Sequence, residues 1–248
     1  MSKSVFFASD FHLGLDTHET SQQRELRIIS WMDSILDKCE QLFLLGDLFD
    51  YWFEYDTVVP KGYFRFFAKI SEFTARGIPV HVFTGNHDMW LFDYMEKELR
   101  VIMYRKVLEI YINDFKFVLG HGDGLGPGDH GYKFIKKVFS SRINQWLYAK
   151  IHPDWGIKLM RYFSKKSRDS QEHNNQFLGK EKEWLVQYCE SYLNTNKADF
   201  FIFGHRHFPI DYTLSNNHSR YINAGDWIDH NSYVEFNGST IELKYYNT

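Results

Sequence analysis

Residues 41–50 read QLFLLGDLFD, an apolar run that stops at Gly46 and is followed at once by Asp47 and Asp50. A short apolar run bounded by turn residues is typical of a buried β-strand. Glycine lets the backbone turn sharply after the strand, so the next carboxylate is held near the strand end. In four further segments polar residues also follow a short apolar run, in three of them after a glycine, and the five together indicate the fold.

The other four clusters also follow short apolar runs, at residues 4–9, 78–84, 116–119 and 199–203. They read Asp10-Phe11-His12, Gly85-Asn86-His87-Asp88, Gly120-His121-Gly122-Asp123 and Gly204-His205-Arg206-His207. A single cluster would carry no weight, because a lone His or Asp more often serves a turn or a local polar contact. Five clusters in the same setting, a strand and then a turn, predict one shared site.

The order of the predicted elements indicates an α/β fold. Helical patterns at about 21–38 and 63–76 alternate with the first strands. After residue 101 the pattern changes to antiparallel strands joined by turns at Asn113-Asp114, Asn216-Asn217 and Asn237-Gly238. These strands are predicted at residues 107–112, 115–119, 210–214, 220–223, 233–236 and 240–246. We therefore predict two packed mixed β-sheets flanked by helices, in a single domain over residues 1–248.

A basic helical insert is predicted at about residues 128–170. Between Lys133 and Arg168 the chain has ten basic residues and one acid, Asp154, a net charge of +9; the whole chain carries −3, which leaves −12 elsewhere. Apolar residues are interleaved at helical spacing. The insert is either a solvated helix face packed on the body, or a cap for an anionic, partly apolar substrate or an anionic membrane surface. The lopsided charge favours the cap.

Bulk properties indicate a chain that stays in the cytoplasm. No run of about eighteen apolar residues is present, and the N-terminus runs into a strand without a signal-peptide pattern. Cys39 and Cys189 lie far apart in sequence, so we expect two buried thiols rather than a disulfide.

The residue types in the clusters favour a catalytic pair of divalent metal ions. Carboxylate oxygens suit Mn²⁺ and Mg²⁺, and imidazole widens the choice to iron, cobalt and zinc. A mixed Asp, His and Asn set without thiolates is unlike a structural zinc site. Two ions about 4 Å apart need a bridging ligand, and an Asp carboxylate serves well in that position.

In this order, DxH, GDxxD, GNHD, GHGD and GHxH, the clusters resemble those of the calcineurin-like metallophosphoesterase superfamily, over residues 10–207. The resemblance implies that superfamily's four-layer α/β/β/α fold and two metal ions bridged by Asp47. The implied metal ligands are Asp10, His12, Asp47 and His207 for one ion, and Asp47, Asn86, His121 and His205 for the other. His87 and Asn86 are the implied catalytic residues, with His87 beside the substrate phosphate. Asp50 and Asp88 would orient ligands.

The insert is similar to that of UDP-2,3-diacylglucosamine hydrolases, a branch of this superfamily in lipid A synthesis. The resemblance implies cleavage of the substrate pyrophosphate to UMP and 2,3-diacylglucosamine 1-phosphate, with Mn²⁺ as the metal and Mg²⁺, Fe²⁺ or Zn²⁺ as alternatives. It implies a helical cap over the acyl chains and peripheral contact with the inner membrane. The candidate substrate contacts are Asp129, Tyr132 and Arg168.

One cluster departs from that branch, whose best-known members have Arg where this chain has His87. The alternative is therefore a metallophosphoesterase of different specificity, acting on nucleotides or as a general phosphomonoesterase or phosphodiesterase. No nucleic-acid partner is expected, because binding to a phosphate backbone does not require the apolar stripe of the insert. We expect a monomer or a small homo-oligomer.

Overall fold

The computed structural model describes residues 3–128, 130–170 and 176–247. The strands in these ranges are β1 (Ser4–Ala8), β2 (Cys39–Leu44), β3 (Val80–Phe83), β4 (Ile102–Tyr104), β5 (Leu108–Ile112), β6 (Phe115–Leu119), β7 (Phe200–Phe203), β8 (Ile210–Thr213), β9 (Arg220–Asn223), β10 (Ser232–Phe236) and β11 (Ile241–Tyr245). The helices are α1 (Ser21–Ile35), α2 (Phe64–Ala75), α3 (Tyr94–Leu99), α4 (His130–Phe139), α5 (Arg142–Tyr148), α6 (Pro153–Ser170) and α7 (Trp184–Leu193).

The strands form two mixed sheets. The first has the order β11-β10-β1-β2-β3-β4, with β1 to β4 parallel and with antiparallel pairs where β10 joins β1 and β11 joins β10. The second has the order β5-β6-β7-β9-β8, in which β6, β7 and β9 are parallel and the two edge strands are antiparallel to their neighbours. Both sheets therefore have a parallel centre.

Side chains that alternate in direction along each strand allow the two sheets to pack against each other and against helices on their outer faces, which gives four layers. Phe7 and Phe43 of the first sheet lie in the same apolar cluster as Phe117 of the second, so this cluster fills the space between the sheets. Their neighbours along the chain face outward and pack against α1 and α2 on one side and against α7 on the other. Successive side chains of a strand point to opposite faces, so each buried strand supplies two cores.

Helices α4, α5 and α6, which we call the cap, pack on the body through aromatic side chains. Trp90 Nε1 donates a hydrogen bond to the carbonyl of Phe139 at 2.9 Å, and the hydroxyls of Tyr51 and Tyr148 lie 2.7 Å apart. Tyr51, Trp90 and Tyr148 are buried in one apolar cluster with Phe53. The predicted helical character of the insert is confirmed, and one face of it is fixed to the body.

The predicted fold class is confirmed, and so are the strands and helices predicted before residue 120 and after residue 199, to within a few residues at each end. The predicted turns contain Asn113, Asn217 and Gly238, which all have positive φ. Both cysteines are buried and free. In the part of the chain that the structure describes, no helix combines the length and the apolar character needed to cross a membrane.

Candidate metal centre and active site

The five clusters follow the carboxyl ends of parallel strands. Asp10, Asp47 and Asn86 come after β1, β2 and β3 of the first sheet, and His121 and His205 come after β6 and β7 of the second. The backbone ties the loops to one another: His12 N donates to the Asp47 carbonyl at 3.0 Å, and Gly204 N donates to the His121 carbonyl at 2.9 Å. The structure therefore brings all five clusters together.

The backbone at the clusters adopts an unusual conformation. Positive φ angles between 44° and 68° occur at Asp10, His12, Asp47, His205 and His207. Residues other than glycine rarely adopt this region, at a cost of about 1–3 kcal/mol each. Such strain persists where the surrounding structure enforces it, and it concentrates at functional sites.

Two motif glycines let a neighbouring loop approach closely. A Cβ atom at Gly85 would collide with Oδ1 of Asp47, and one at Gly204 would collide with Oγ of Ser9 and with Oδ2 of Asp10. Because glycine has no Cβ atom, backbone N–H groups of these loops can approach the carboxylates of Asp47 and Asp10. His87 N donates to Asp47 Oδ1 at 2.8 Å, and His205 N donates to Asp10 Oδ2 at 3.0 Å.

One group of candidate ligands is formed by Asp10, His12 and His207. Asp10 Oδ1 lies 3.3 Å from Nε2 of His207 and 3.7 Å from Nε2 of His12. Asp10 and His12 are buried, whereas the His207 side chain is 33% exposed and gives the group an edge that solvent can reach.

A second group of candidate ligands lies around Asp47, whose side chain also approaches the first group. Asp47 Oδ2 is 3.6 Å from His12 Nε2 and 3.3 Å from His121 Nε2. Asn86 Oδ1 lies 3.1 Å from His121 Nε2 and 2.9 Å from His205 Nδ1. Asp47 is thus placed to serve both groups, as the predicted bridging ligand must.

The donor atoms fit divalent cations. In each of the sets Asp10–His12–His207 and Asp10–Asp47–His121, one ligand atom per residue lies within 4.8 Å of the others. Asp10 Oδ1 and Nε2 of His12 are buried and have no hydrogen-bond partner among the described residues. Buried polar atoms are normally satisfied, so these two atoms, 3.7 Å apart, point to a shared partner such as a metal ion.

The electrostatics favour ionised carboxylates. Burial alone raises the pKa of Asp47, but the charge and hydrogen bond of His121 outweigh it and hold the pKa well below its usual value. For Asp10 burial is likewise outweighed, chiefly by the charge of His207, and the pKa is lowered. Carboxylates must be ionised to bind a metal.

Asp88 links the loop that follows β2 to the loop that follows β3. Its Oδ2 accepts the N–H of Leu48 and its Oδ1 accepts the N–H of Gly85, both at 2.7 Å. Burial and the nearby charge of Asp47 raise the pKa of Asp88 to about 7. Asp88 therefore holds the loops after β2 and β3 in register rather than touching the candidate metal groups itself.

His87 lies between the metal loops and the cap. Its Nδ1 is 3.0 Å from the Asp50 carbonyl oxygen, 3.6 Å from Asp50 Oδ1 and 3.2 Å from the hydroxyl of Ser164 in α6. Burial, more than any other influence, lowers the pKa of His87. Asp50 also lies 3.6 Å from Nδ1 of His12. Asp50 therefore contacts a candidate ligand and the candidate catalytic residue together.

Comparison with known proteins identifies the family. The sequence model described as calcineurin-like phosphoesterase matches residues 3–209. The chain belongs to the calcineurin-like phosphoesterase family. It is 35% identical to a UDP-2,3-diacylglucosamine hydrolase of Porphyromonas gingivalis, over 98% of each chain, and 25% identical to one of Shewanella halifaxensis, over 96% of each. A solved dimetal phosphatase from Danio rerio is 14% identical with a TM-score of 0.49, covering 98% of this chain and 95% of that one.

In this calcineurin-like phosphoesterase, two residues that contact the predicted site residues were not predicted from the sequence. Ser164 contacts His87 from the cap, and Asp226 contacts His207 at 3.2 Å. Asp226 follows β9 after Gly225, the same signal of a strand, a glycine and a carboxylate that marked Asp47. Residues 225–229 read GDWID, the same GDxxD spacing as residues 46–50, so this signal could have identified Asp226.

The side chains of the three predicted substrate contacts are not among those that the structure describes. Asp129 lies outside the described residues. Tyr132 falls in α4 and Arg168 in α6, but their side chains are not among those described. All three stay predictions.

Proposed function

We propose that this chain hydrolyses the pyrophosphate of UDP-2,3-diacylglucosamine to UMP and 2,3-diacylglucosamine 1-phosphate, with Mn²⁺ as the metal. The observation that carries the proposal is the 35% identity to the P. gingivalis UDP-2,3-diacylglucosamine hydrolase over 98% of both chains. The arrangement of the candidate ligands supports the hydrolytic chemistry, since calcineurin-like phosphoesterases use a site for two divalent metal ions.

In the proposed site, Asp10, His12, Asp47 and His207 would hold one ion, and Asp47, Asn86, His121 and His205 would hold the other. The chemistry supplied by such a pair, when bound, would be the activation of water and the offset of negative charge on the phosphate. The backbone N–H groups that reach Asp10 and Asp47 fix these carboxylates in place before substrate arrives. Such preorganised carboxylates need little reorganisation at the moment of reaction.

His87 is proposed to act on the substrate phosphate. A carbonyl oxygen can only accept a hydrogen bond, so the contact with Asp50 places the proton of the neutral ring on Nδ1. Nε2 is then the ring atom left for the substrate. The Ser164 hydroxyl at 3.2 Å brings the cap into contact with the same ring, so substrate bound under the cap would meet His87 directly.

The cap suits a substrate that is both anionic and lipidic. Its apolar side chains divide into two sets: Phe139 and Tyr148 pack toward the body, while Ile143, Trp146 and Trp155 are 60–72% exposed. Lys150 lies over the Trp146 ring at 5.4 Å, which places a cation beside the exposed apolar set. We propose that this surface takes acyl chains and rests on the cytoplasmic face of the inner membrane.

The substrate is tested with purified, Mn²⁺-loaded protein in detergent. We expect UMP from UDP-2,3-diacylglucosamine and slow release of p-nitrophenol from p-nitrophenyl phosphates. The presence of His87 where the related branch has Arg keeps a general phosphoesterase as the second candidate. Rapid cleavage of the nitrophenyl esters, with no UMP from the lipid, would establish that candidate and exclude our proposal.

Substitution of His87 separates a substrate role from a ligand role. One ring nitrogen of His87 lies within 4.8 Å of ligand atoms of His12 and Asp47, so metal binding must be measured directly. We expect His87→Ala to retain two ions per chain and to lose about 10²–10⁴-fold in turnover. Loss of a metal ion in this variant would show that His87 is a ligand instead.

A further inference from the structure

Asp226 lies beside the metal centre although it belongs to none of the five clusters. It is 2% exposed, in the turn that follows β9. Its Oδ2 lies 3.2 Å from Nδ1 of His207, whose Nε2 lies 3.3 Å from Oδ1 of Asp10. The imidazole of His207 is therefore held between two carboxylates, one at each ring nitrogen.

The second oxygen of Asp226 anchors it to its own turn. Oδ1 accepts the backbone N–H groups of Asp229 and His230, both at 3.0 Å. The next residue, Trp227, donates its N–H to the Asp10 carbonyl at 3.1 Å. The turn is thus tied to the end of β1 that carries Asp10, and the two carboxylates that face His207 keep a fixed separation.

This geometry determines which ring nitrogen of His207 carries the proton. A carboxylate only accepts hydrogen bonds, so the hydrogen bond between Asp226 and His207 requires a proton on Nδ1. Asp10 Oδ1 has no hydrogen-bond partner among the described residues, so its approach to Nε2 makes no such demand on that nitrogen. The neutral ring then has its lone pair on Nε2, the nitrogen that faces Asp10, and a metal ion requires that lone pair. We propose that Asp226 is a positioning residue of the metal centre, which fixes His207 in the tautomer that binds a divalent cation through Nε2. This proposal rests on the metal centre proposed above and not on the identity of the substrate.

Asp226→Asn tests the proposal because it separates the tautomer from the turn. The Asn Oδ1 still accepts the N–H groups of Asp229 and His230, so the turn is retained. The Asn NH₂ group then faces His207 Nδ1 and donates to it, which moves the ring proton to Nε2. We expect the affinity for one of two Mn²⁺ ions to fall about 10–100-fold, measured by equilibrium dialysis with metal analysis.

Asp229→Asn is the matched control. It removes the same charge three residues away, at a side chain that is 57% exposed, and we expect it to bind two ions like the wild type. The melting temperature of each metal-free variant reports whether the fold is retained. Equal Mn²⁺ affinity in folded Asp226→Asn and Asp229→Asn would overturn the proposal.

A measurement on the unmodified chain covers the case in which Asp226→Asn does not fold. Nitrogen-15 NMR of the histidine rings in the Zn²⁺-loaded protein reports which nitrogen carries the proton, with His207 assigned by the signal missing in His207→Gln. We expect a protonated Nδ1, and a protonated Nε2 would overturn the proposal. Neither test uses substrate, so a wild type that releases no UMP would refute the proposed function and leave these results intact.

Discussion

Positive φ angles occur at five of the seven candidate metal ligands, and close backbone approaches occur beside two of them. Both features follow from the need to bring short side chains from different strand ends to one point. The left-handed backbone re-aims each side chain, and glycine lets a neighbouring loop pass within hydrogen-bonding distance of a carboxylate. At the residue scale, the site depends on backbone geometry as much as on ligand identity.

Gly85→Ala and Gly204→Ala test this dependence. The new methyl group would collide with Asp47 in the first variant and with Ser9 and Asp10 in the second. We expect the free energy of unfolding to fall by about 1–3 kcal/mol in each, measured by urea denaturation, with weaker Mn²⁺ binding.

Gly120→Ala is the control for these two variants. Gly120 precedes His121 as Gly85 precedes Asn86, but a Cβ there would make only ordinary contacts of 3.5 Å or more with Phe203 and Val107. Its free energy of unfolding should stay within about 1 kcal/mol of the wild type. If all three variants lost stability equally, the close approaches to Asp47 and Asp10 would not be what matters.

The strands and helices show where prediction from sequence succeeds and where it ends. Strand ends were predictable because an apolar run and the glycine after it are adjacent in the chain. β4 has three residues and α3 has six, too short for a periodic pattern to identify. The face of the cap that packs on the body was not predictable either. It is selected by Tyr51 and Trp90, which lie far from the cap in sequence.

The exposed face of the cap gives a prediction at the scale of elements. Trp146→Ser and Trp155→Ser should each weaken binding to vesicles that contain anionic lipid about tenfold, equivalent to about 1.4 kcal/mol of lost apolar burial. Sedimentation with the vesicles measures this binding. Tyr111→Ser is the control, because Tyr111 is 68% exposed but lies in β5, outside the cap. A loss as large for Tyr111→Ser, or none for the tryptophan variants, would exclude the cap as the contact surface.

The site lies where the two sheets of the molecule meet. The first sheet supplies the loops with Asp10, Asp47 and Asn86, and the second supplies His121 and His205. Ions bound between these loops would link the two halves of the fold. The sequence predicted this convergence because the clusters share one setting, but it did not predict Asp226, whose contact with His207 depends on the path of the chain after β9.

Removal of the metal should therefore lower the stability of the whole chain. A ligand at about 100 times its Kd adds about 2.7 kcal/mol to the free energy of unfolding. For a protein of this size, chelation should lower the melting temperature by about 5 to 10 °C for each ion lost. Differential scanning calorimetry with and without EDTA measures the change, and an unchanged melting temperature would argue against ions that join the two sheets.

A titration of metal-free protein with Mn²⁺, in which UMP release from UDP-2,3-diacylglucosamine is followed against the number of ions bound per chain, tests the metal centre and the substrate together. We predict little release before the second ion binds and full activity at two ions per chain. The absence of UMP at two bound ions, or full activity with one ion or none, would contradict the central claim that these five clusters form a two-metal hydrolase for this substrate.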